Sequence, residues 1–287
     1  MHKAMIVRIG NGIEEAMIER LLGQGVEVVA YSGSERKLAK LRERHADSSL
    51  LQAVKGDAGD EGGLLAAARG ADAIFCCVYV AYDEREERVE RMLNALNFVS
   101  ETLNIPLVLL EGTYRFLARK PFRFSSPDRV LRLAAPELYG ETAADTVIHY
   151  YLKKIAKGEK PDVIGNPQAA RGYLYLGDAA EYAIELAREE STYGKTWLLP
   201  AGAPLTLAEF GERAAAAAGS GLRPSSLSPW KRRLLGWAMP EMRELLIRYE
   251  LAGVEQEAPT EFRGRPLRTD YSEGIVRTME GLSRRYR

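Results

Sequence analysis

A succession of short apolar runs, each followed by a helix-patterned segment, constrains this chain more than any other feature. Met5 to Ile9, Val26 to Tyr31, Ala53-Val54, Ala73 to Val80, Leu107 to Leu110 and Val130 to Leu133 are rich in aliphatic residues. Most lack polar alternation, as strands covered on both faces do. Between them, Glu14 to Leu22, Glu35 to His45, Gly62 to Arg69 and Glu84 to Leu103 read as helices. In the last of these Val89, Met92, Leu93, Leu96, Val99 and Leu103 recur at helical spacing and form one apolar stripe. Strands and helices in alternation predict an α/β fold, a doubly wound parallel sheet with crossover helices.

Beyond Ile148 the pattern changes. A helix is expected over Ala180 to Arg188 with Asp178 as its N-cap, and Thr206 to Glu209 reads as a capping box opening a helix over Leu207 to Ala218. Helical patterns at Trp230 to Trp237 and Glu241 to Leu251 are split by Pro240, and a final helix runs over Ser272 to Leu282. These patterns predict a nucleotide-binding domain over residues 1–140. A smaller, mostly helical substrate or lid lobe follows over 141–287, with 165–200 returning strands to the sheet.

Composition excludes several classes of function. Lys+Arg and Asp+Glu stand at 40 each, so the net charge is zero and no basic face points to nucleic acid. The longest apolar stretch, Ala71 to Tyr82, contains Asp72 and is too short to span a bilayer. Met1 to Met5 leads straight into a strand without an apolar signal region, so a cytoplasmic location is expected. Cys76 and Cys77 are adjacent, a spacing that suits neither a disulfide nor a chelate, and buried structural thiols are expected. His2, His45 and His149 are scattered, so neither a metal cluster nor a nucleophile triad is suggested.

The segment Gly10-Asn11-Gly12-Ile13 lies at a strand-to-helix junction, where a Rossmann fold holds a pyrophosphate against helix N–H groups. Gly10 and Gly12 permit the tight turn and the close backbone approach. The third glycine of G-x-G-x-x-G is replaced by Glu15. Glu14 and Glu15 stabilise the helix dipole by roughly 0.3–1 kcal/mol each, yet would oppose a diphosphate in the same place. After the second strand comes Ser32-Gly33-Ser34-Glu35-Arg36-Lys37, with no acid at the strand tip for ribose hydroxyls and Arg36 and Lys37 nearby. NADP is therefore preferred over NAD if either binds; a plain solvated helical turn is the competing reading.

Taken with this Rossmann-like order, further motifs resemble the extended short-chain dehydrogenase/reductase superfamily, specifically its NAD-dependent epimerase/dehydratase group. Gly56-Asp57-Ala58-Gly59-Asp60 is similar to its G-D-x-x-D element, whose first Asp lies near the adenine. Gly70-Ala71-Asp72-Ala73-Ile74-Phe75 is similar to its G-A-D-x-V-F stretch. Leu131-Arg132 through Tyr139-Gly140 resembles L-R-x-x-x-x-Y-G, and Tyr173 through Ala179 resembles Y-V-x-D-x-A. Trp197 through Phe210 resembles the family's late strand and capping-box helix. The resemblance implies a nicotinamide cofactor contacted by Gly10, Asn11, Gly12, Ile13, Ser32, Arg36, Asp57, Ala58, Cys77 and Val78.

One departure bears on chemistry. The family carries a Tyr-x-x-x-Lys helix between its fifth and sixth strands, the Tyr serving as acid/base. Here only Tyr114 to Arg129 connects those strands, with Pro121 and Pro127 inside. The helix is expected to be absent, and Tyr139 is followed by Ala143 where the Lys would stand. Candidate proton-transfer residues are Thr113, Tyr114, Tyr139 and Glu111. Tyr79, Tyr82, Asp83 and Glu137 are expected in a substrate cleft at the carboxyl ends of the strands.

Three functions remain open: an NAD(P)-dependent epimerase or oxidoreductase acting on a small polar metabolite, a non-redox lyase or isomerase, and a non-catalytic dinucleotide or metabolite sensor. In the family, the Glu84 to Leu103 helix and the missing helix build the dimer interface. A homodimer here would need a non-standard interface, or the Trp230 to Leu251 helices would cover the exposed surface.

Overall fold

The structure is a computed structural model that describes residues 1–10, 12–78, 86–112, 122–143, 146–160, 162–163, 170–220, 225–226, 230 and 267–286. Its centre is a seven-stranded sheet. The strands are β1 (Lys3–Val7), β2 (Glu27–Ser32), β3 (Leu51–Lys55), β4 (Ala73–Val78), β5 (Leu107–Gly112), β6 (Val130–Ala135) and the late β11 (Thr196–Leu198). Their order is β11-β6-β5-β4-β1-β2-β3, and every neighbouring pair is parallel. The chain winds outward from β1 in one direction through β2 and β3 and in the other through β4, β5 and β6. A ligand crevice is expected at the carboxyl ends beside β1, where the winding reverses.

The two-residue period of each strand divides its side chains between two apolar layers. Ala4, Ile6, Val28, Phe75, Cys77, Leu110 and Leu133 face α1 (Ile13–Gly23) and α6 (Leu176–Leu186). Met5, Val7, Val29, Ile74, Cys76, Leu107 and Leu109 face the opposite side. There α3 (Glu61–Ala68) and α4 (Glu86–Leu103) present Leu64, Val89, Leu93, Leu96 and Val99. The predicted stripe of α4 is thus buried. Its outward face carries Glu87, Arg88, Glu90, Arg91 and Asn94, with Phe98 exposed at 42%. On the α1 side, α2 (Glu35–Arg44) adds Leu38 and Leu41 to that layer and is capped by Ser34 Oγ, which accepts from the Lys37 N–H at 3.4 Å.

A second core lies beyond the sheet. It joins β7 (Glu137–Tyr139) and β10 (Tyr173–Tyr175), which pair in parallel, to α5 (Val147–Ala156), α7 (Leu207–Ala217) and α8 (Tyr271–Tyr286). Tyr139, Tyr151, Tyr173, Phe210, Ile275 and Met279 are buried there. The capping box expected at Thr206 and Glu209 is present, with both of its reciprocal bonds. Short pairs β8 (Asp162–Val163) with β13 (Ser225–Ser226), and β9 (Ala170–Arg171) with β12 (Leu205–Thr206), complete the described strands.

Two expectations change. The helix expected from Ala180 is α6, which starts at Leu176 with Tyr175 as its N-cap. Asp178 is not a cap: it is 3% exposed and accepts from the Thr269 N–H at 2.8 Å and the Thr269 hydroxyl at 2.7 Å. A long-range partner has drawn this carboxylate inward. Beside it Arg268 donates to Glu181 and Glu185, strapping the Leu267 to Asp270 segment onto α6. The Trp230 to Leu251 helices fall outside the described residues except Trp230, which is 62% exposed.

The described part of the connection into β6 holds no α-helix. Phe122 and Phe124 pack edge-on, 4.7 Å apart, against the α4 layer. Ser125 exchanges bonds with Asn97 at 3.0 and 2.9 Å before a single 3-10 turn at Pro127–Arg129. Among the described residues no helix is long and apolar enough to cross a membrane.

Candidate functional site

The loop between β1 and α1 is built on two left-handed residues. Arg8, the first residue after β1, has φ 70°, its N–H donating to the Tyr31 carbonyl at 2.7 Å. Gly12 is the N-cap of α1 with φ 85°, and its carbonyl accepts from the Ala16 N–H. A Cβ on Gly12 would overlap the carbonyl group of Thr142. The missing side chain therefore lets the Gly140 to Ala143 segment rest on the loop, with the Thr142 hydroxyl donating to the Gly12 carbonyl at 3.4 Å. Ser32 Oγ donates to the Ile9 carbonyl at 3.4 Å, and Lys37 Nζ reaches back to the Gly10 carbonyl at 3.2 Å. Asn11 lies outside the described residues.

The two acids of the first turn part company. Glu15 points outward and pairs with Arg44 on α2 at 2.6 Å. Glu14 faces the sheet with no exposure at all, and the buried Cys77 thiol of β4 is hydrogen-bonded to it. Burial first, then Glu14, pushes that thiol far above its ordinary range, so Cys77 is an inert core group. Neither cysteine is in a disulfide, and both are buried. The residue that fills the close helix-to-sheet contact is thus Glu14, and the charge of Glu15 is answered by Arg44 rather than aimed at a ligand.

Beside the loop, at the carboxyl ends of β1, β2 and β3, lies a cleft of about 370 Å³ lined by Arg8, Ser32, Gly33, Lys55, Asp57, Ala58, Arg88 and Met92, among others. The strand tip at Ser32 carries no acid. Asp57 accepts from the Gly59 N–H at 2.9 Å and from Arg91 at 2.6 Å. That backbone bond first, and the Arg91 and Arg88 charges after it, hold its carboxyl below the usual range. Tyr31 donates to the Asp57 carbonyl at 3.3 Å, and its ring leaves no room for a Cβ at Gly56, which fixes the floor of the cleft. Arg8, Lys55 and Arg88 supply three cations against one paired carboxylate, an arrangement suited to a phosphorylated ligand.

Of the residues expected from the sequence, Ser32, Asp57 and Ala58 line this cleft, Gly10 and Gly12 belong to the adjoining loop, and Ile13 is the first residue of α1. Arg36 is exposed on α2 and does not line it. Cys77 and Val78 are buried strand residues. Sequence reasoning missed Arg8, Lys55 and Arg88. Arg8 follows β1 and Lys55 ends β3, where the strand-end rule could have found them; Arg88 needed the packing of α4 over the cleft.

Of the groups expected to transfer protons, Glu111 and Tyr139 lie elsewhere. Glu111 on β5 is buried and held by Arg132 of β6, whose Nη2 and Nε donate to one carboxylate oxygen at 2.6 and 3.0 Å. Tyr139 is 1% exposed among Tyr175, Phe210 and Tyr271, and burial above all raises its pKa, so the structure places it in an aromatic core. Glu137 begins β7, half-buried, opposite Tyr173. Thr113, Tyr114, Tyr79, Tyr82 and Asp83 lie outside the described residues. The sequence contains a single Tyr-x-x-x-Lys spacing, at Tyr150 and Lys154. That pair lies on α5 in the second core, with Lys154 Nζ 5.1 Å from the centre of a Tyr150 ring that is 44% exposed. A different pair stands near the loop: the Tyr175 hydroxyl, pushed up to about 12 by burial and by Glu141, lies 3.1 and 3.2 Å from the two Glu141 carboxylate oxygens.

No protein-family model matches this sequence, and no curated protein does. Solved structures do match over nearly the whole chain. A dTDP-glucose 4,6-dehydratase from Bacillus anthracis, in complex with NAD, superposes with a TM-score of 0.67 at 12% identity, covering 99% of this chain and 97% of its own. An epimerase from Methanothermobacter thermautotrophicus gives 0.67 at 12% identity, covering 99% and 93%. The yeast methylglyoxal/isovaleraldehyde reductase Gre2, complexed with NADPH, gives 0.64 at 10% identity, covering 98% of each chain. This chain shares their fold. The Rossmann-like parallel sheet expected from the sequence is the one found.

Proposed function

We propose that this chain is a divergent member of the extended short-chain dehydrogenase/reductase superfamily that binds a nicotinamide dinucleotide, NADP(H) in preference to NAD(H), together with a small polar metabolite. The observation that carries this reading is the cationic cleft at the winding reversal, with Arg8, Lys55 and Arg88 around an acid-free strand tip at Ser32. An NAD-selective site places a carboxylate there for the ribose hydroxyls, whereas a 2′-phosphate needs cations. Structural neighbours solved with NAD and with NADPH support the cofactor class. In this reading residues 1–140 hold the nucleotide and 141–287 close over the second ligand, in the cytoplasm. The charged outer face of α4 favours a monomer or a dimer through another surface.

The nicotinamide would supply hydride chemistry. This chain's contribution would be to hold the adenosine end in the cleft and the diphosphate on the Gly10 to Ile13 loop. The sequestering of Glu111 by Arg132 and of Tyr139 in an aromatic core favours a second reading, a sensor without turnover. Calorimetric titration of nucleotide-stripped protein with NADPH, NADP, NADH and NAD tests the first reading. Micromolar binding of the phosphorylated pair is expected; no binding of any of the four at millimolar concentration would refute it.

A further inference from the structure

We propose that Arg8 is the residue that selects the phosphorylated ribose, and that buried Glu14 is the positioning residue that holds it there. The inference rests on the dinucleotide reading above. Arg8 follows Val7, which is paired with Tyr31 of β2 on one side and Cys76 of β4 on the other. Arg8 itself stays tied to β2, its N–H donating to the Tyr31 carbonyl. The side chain lines the cleft, yet its Nη1 atom is fully buried. One arm of the guanidinium faces inward while the rest of the residue remains half-exposed.

Glu14, in the first turn of α1 just past Gly12, is buried as well. Glu14 has no exposure, and both it and Arg8 act on the charge state of the Cys77 thiol, in opposite directions. The core side of the phosphate loop thus holds a buried carboxylate, a buried thiol and one buried guanidinium nitrogen. A buried carboxylate demands a compensating charge, and a guanidinium has enough donors to serve that carboxylate and a phosphate at once, in a fixed plane. A lysine ammonium, a point charge on a flexible stem, lacks that fixed geometry. The backbone points the same way: Arg8 adopts φ 70°, a conformation that glycine would hold without strain, so a side chain is kept here against a conformational cost.

The test compares NADPH with NADH by calorimetry on the full chain and on Arg8→Ala, Arg8→Lys, Glu14→Gln and the double variant Arg8→Ala/Glu14→Gln. Arg8→Ala is expected to weaken NADPH by about 10- to 100-fold, the value of one charge-assisted contact, while NADH changes little. Arg8→Lys should recover only part of the selectivity. Thermal melts separate positioning from folding. Arg8→Ala alone strands Glu14 and lowers Tm, whereas the double variant regains Tm without regaining selectivity. Equal weakening of both nucleotides by Arg8→Ala, or an unchanged preference, would overturn the inference and leave the dinucleotide reading intact. So would additive Tm losses in the double variant, which would break the link to Glu14. Failure of the unaltered chain to bind either nucleotide would instead refute the dinucleotide reading itself.

Discussion

Thr142 rests on Gly12: its hydroxyl donates to the Gly12 carbonyl at 3.4 Å, and its own carbonyl occupies the space that any Cβ at Gly12 would need. The contact ties the end of β7 to the start of α1, two places far apart in the chain. Gly12→Ala should therefore fail twice, through the left-handed φ of 85° and through displacement of the Gly140 to Ala143 segment. Together these cost about 2–4 kcal/mol. Chemical denaturation of the variant checks the loss, and an effect below 1 kcal/mol would mean that the segment yields freely.

The pair Glu111 and Arg132 crosses from β5 to β6 with side chains only 5% and 15% exposed. Removing one partner leaves the other charged and buried. Arg132→Ala should cost roughly 3–5 kcal/mol, whereas replacing both with leucine should cost far less. Urea titrations of the single and double variants provide the cycle. Equal losses would show that the ion pair does not govern this site.

Asp178 and Thr269 join α6 to the segment that leads into α8. The carboxylate accepts two bonds at 2.8 and 2.7 Å in a buried setting. Asp178→Ala should destabilise the chain by about 3 kcal/mol, and Thr269→Val by about half as much, since it keeps the backbone bond. Thermal unfolding followed by circular dichroism measures both. The reverse ranking would place the strength of the joint in the threonine.

His149 predicts a pH effect. Its ring is 4% exposed on α5 and hydrogen-bonded to the Gly140 backbone, and burial lowers its pKa to about 4. The unfolded chain therefore binds a proton near pH 6.5 that the folded chain refuses until about pH 4. Stability from this group is complete above about pH 6.5 and is lost as pH falls toward 4, by at most roughly 3 kcal/mol. Denaturation midpoints across that window should slope for the unaltered chain and flatten for His149→Gln. Parallel curves would assign the slope to other groups.

Much of the architecture was legible because strands and helices write their periods locally. The apolar runs located β1 to β6, the stripe from Val89 to Leu103 located the buried face of α4, and Thr206 with Glu209 marked the start of α7. The candidate cleft was legible in part. Ser32, Asp57 and Ala58 were placed by motif, whereas Arg8, Lys55 and Arg88 were not, because no motif names a cation by the cleft into which it will turn.

The sequence by itself determined the parallel α/β sheet, the position of the glycine loop and the absence of an acid after β2, since each depends on neighbours a few residues away. Only the tertiary structure decided that Glu14 turns inward to Cys77 while Glu15 turns out to Arg44, and that Tyr139 and Glu111 are taken up by packing and pairing. The reason is physical. A charged or hydroxyl-bearing side chain reads the same along the chain whether it meets solvent, a ligand or a distant partner, and the free energy that separates those fates arises only when the partner arrives.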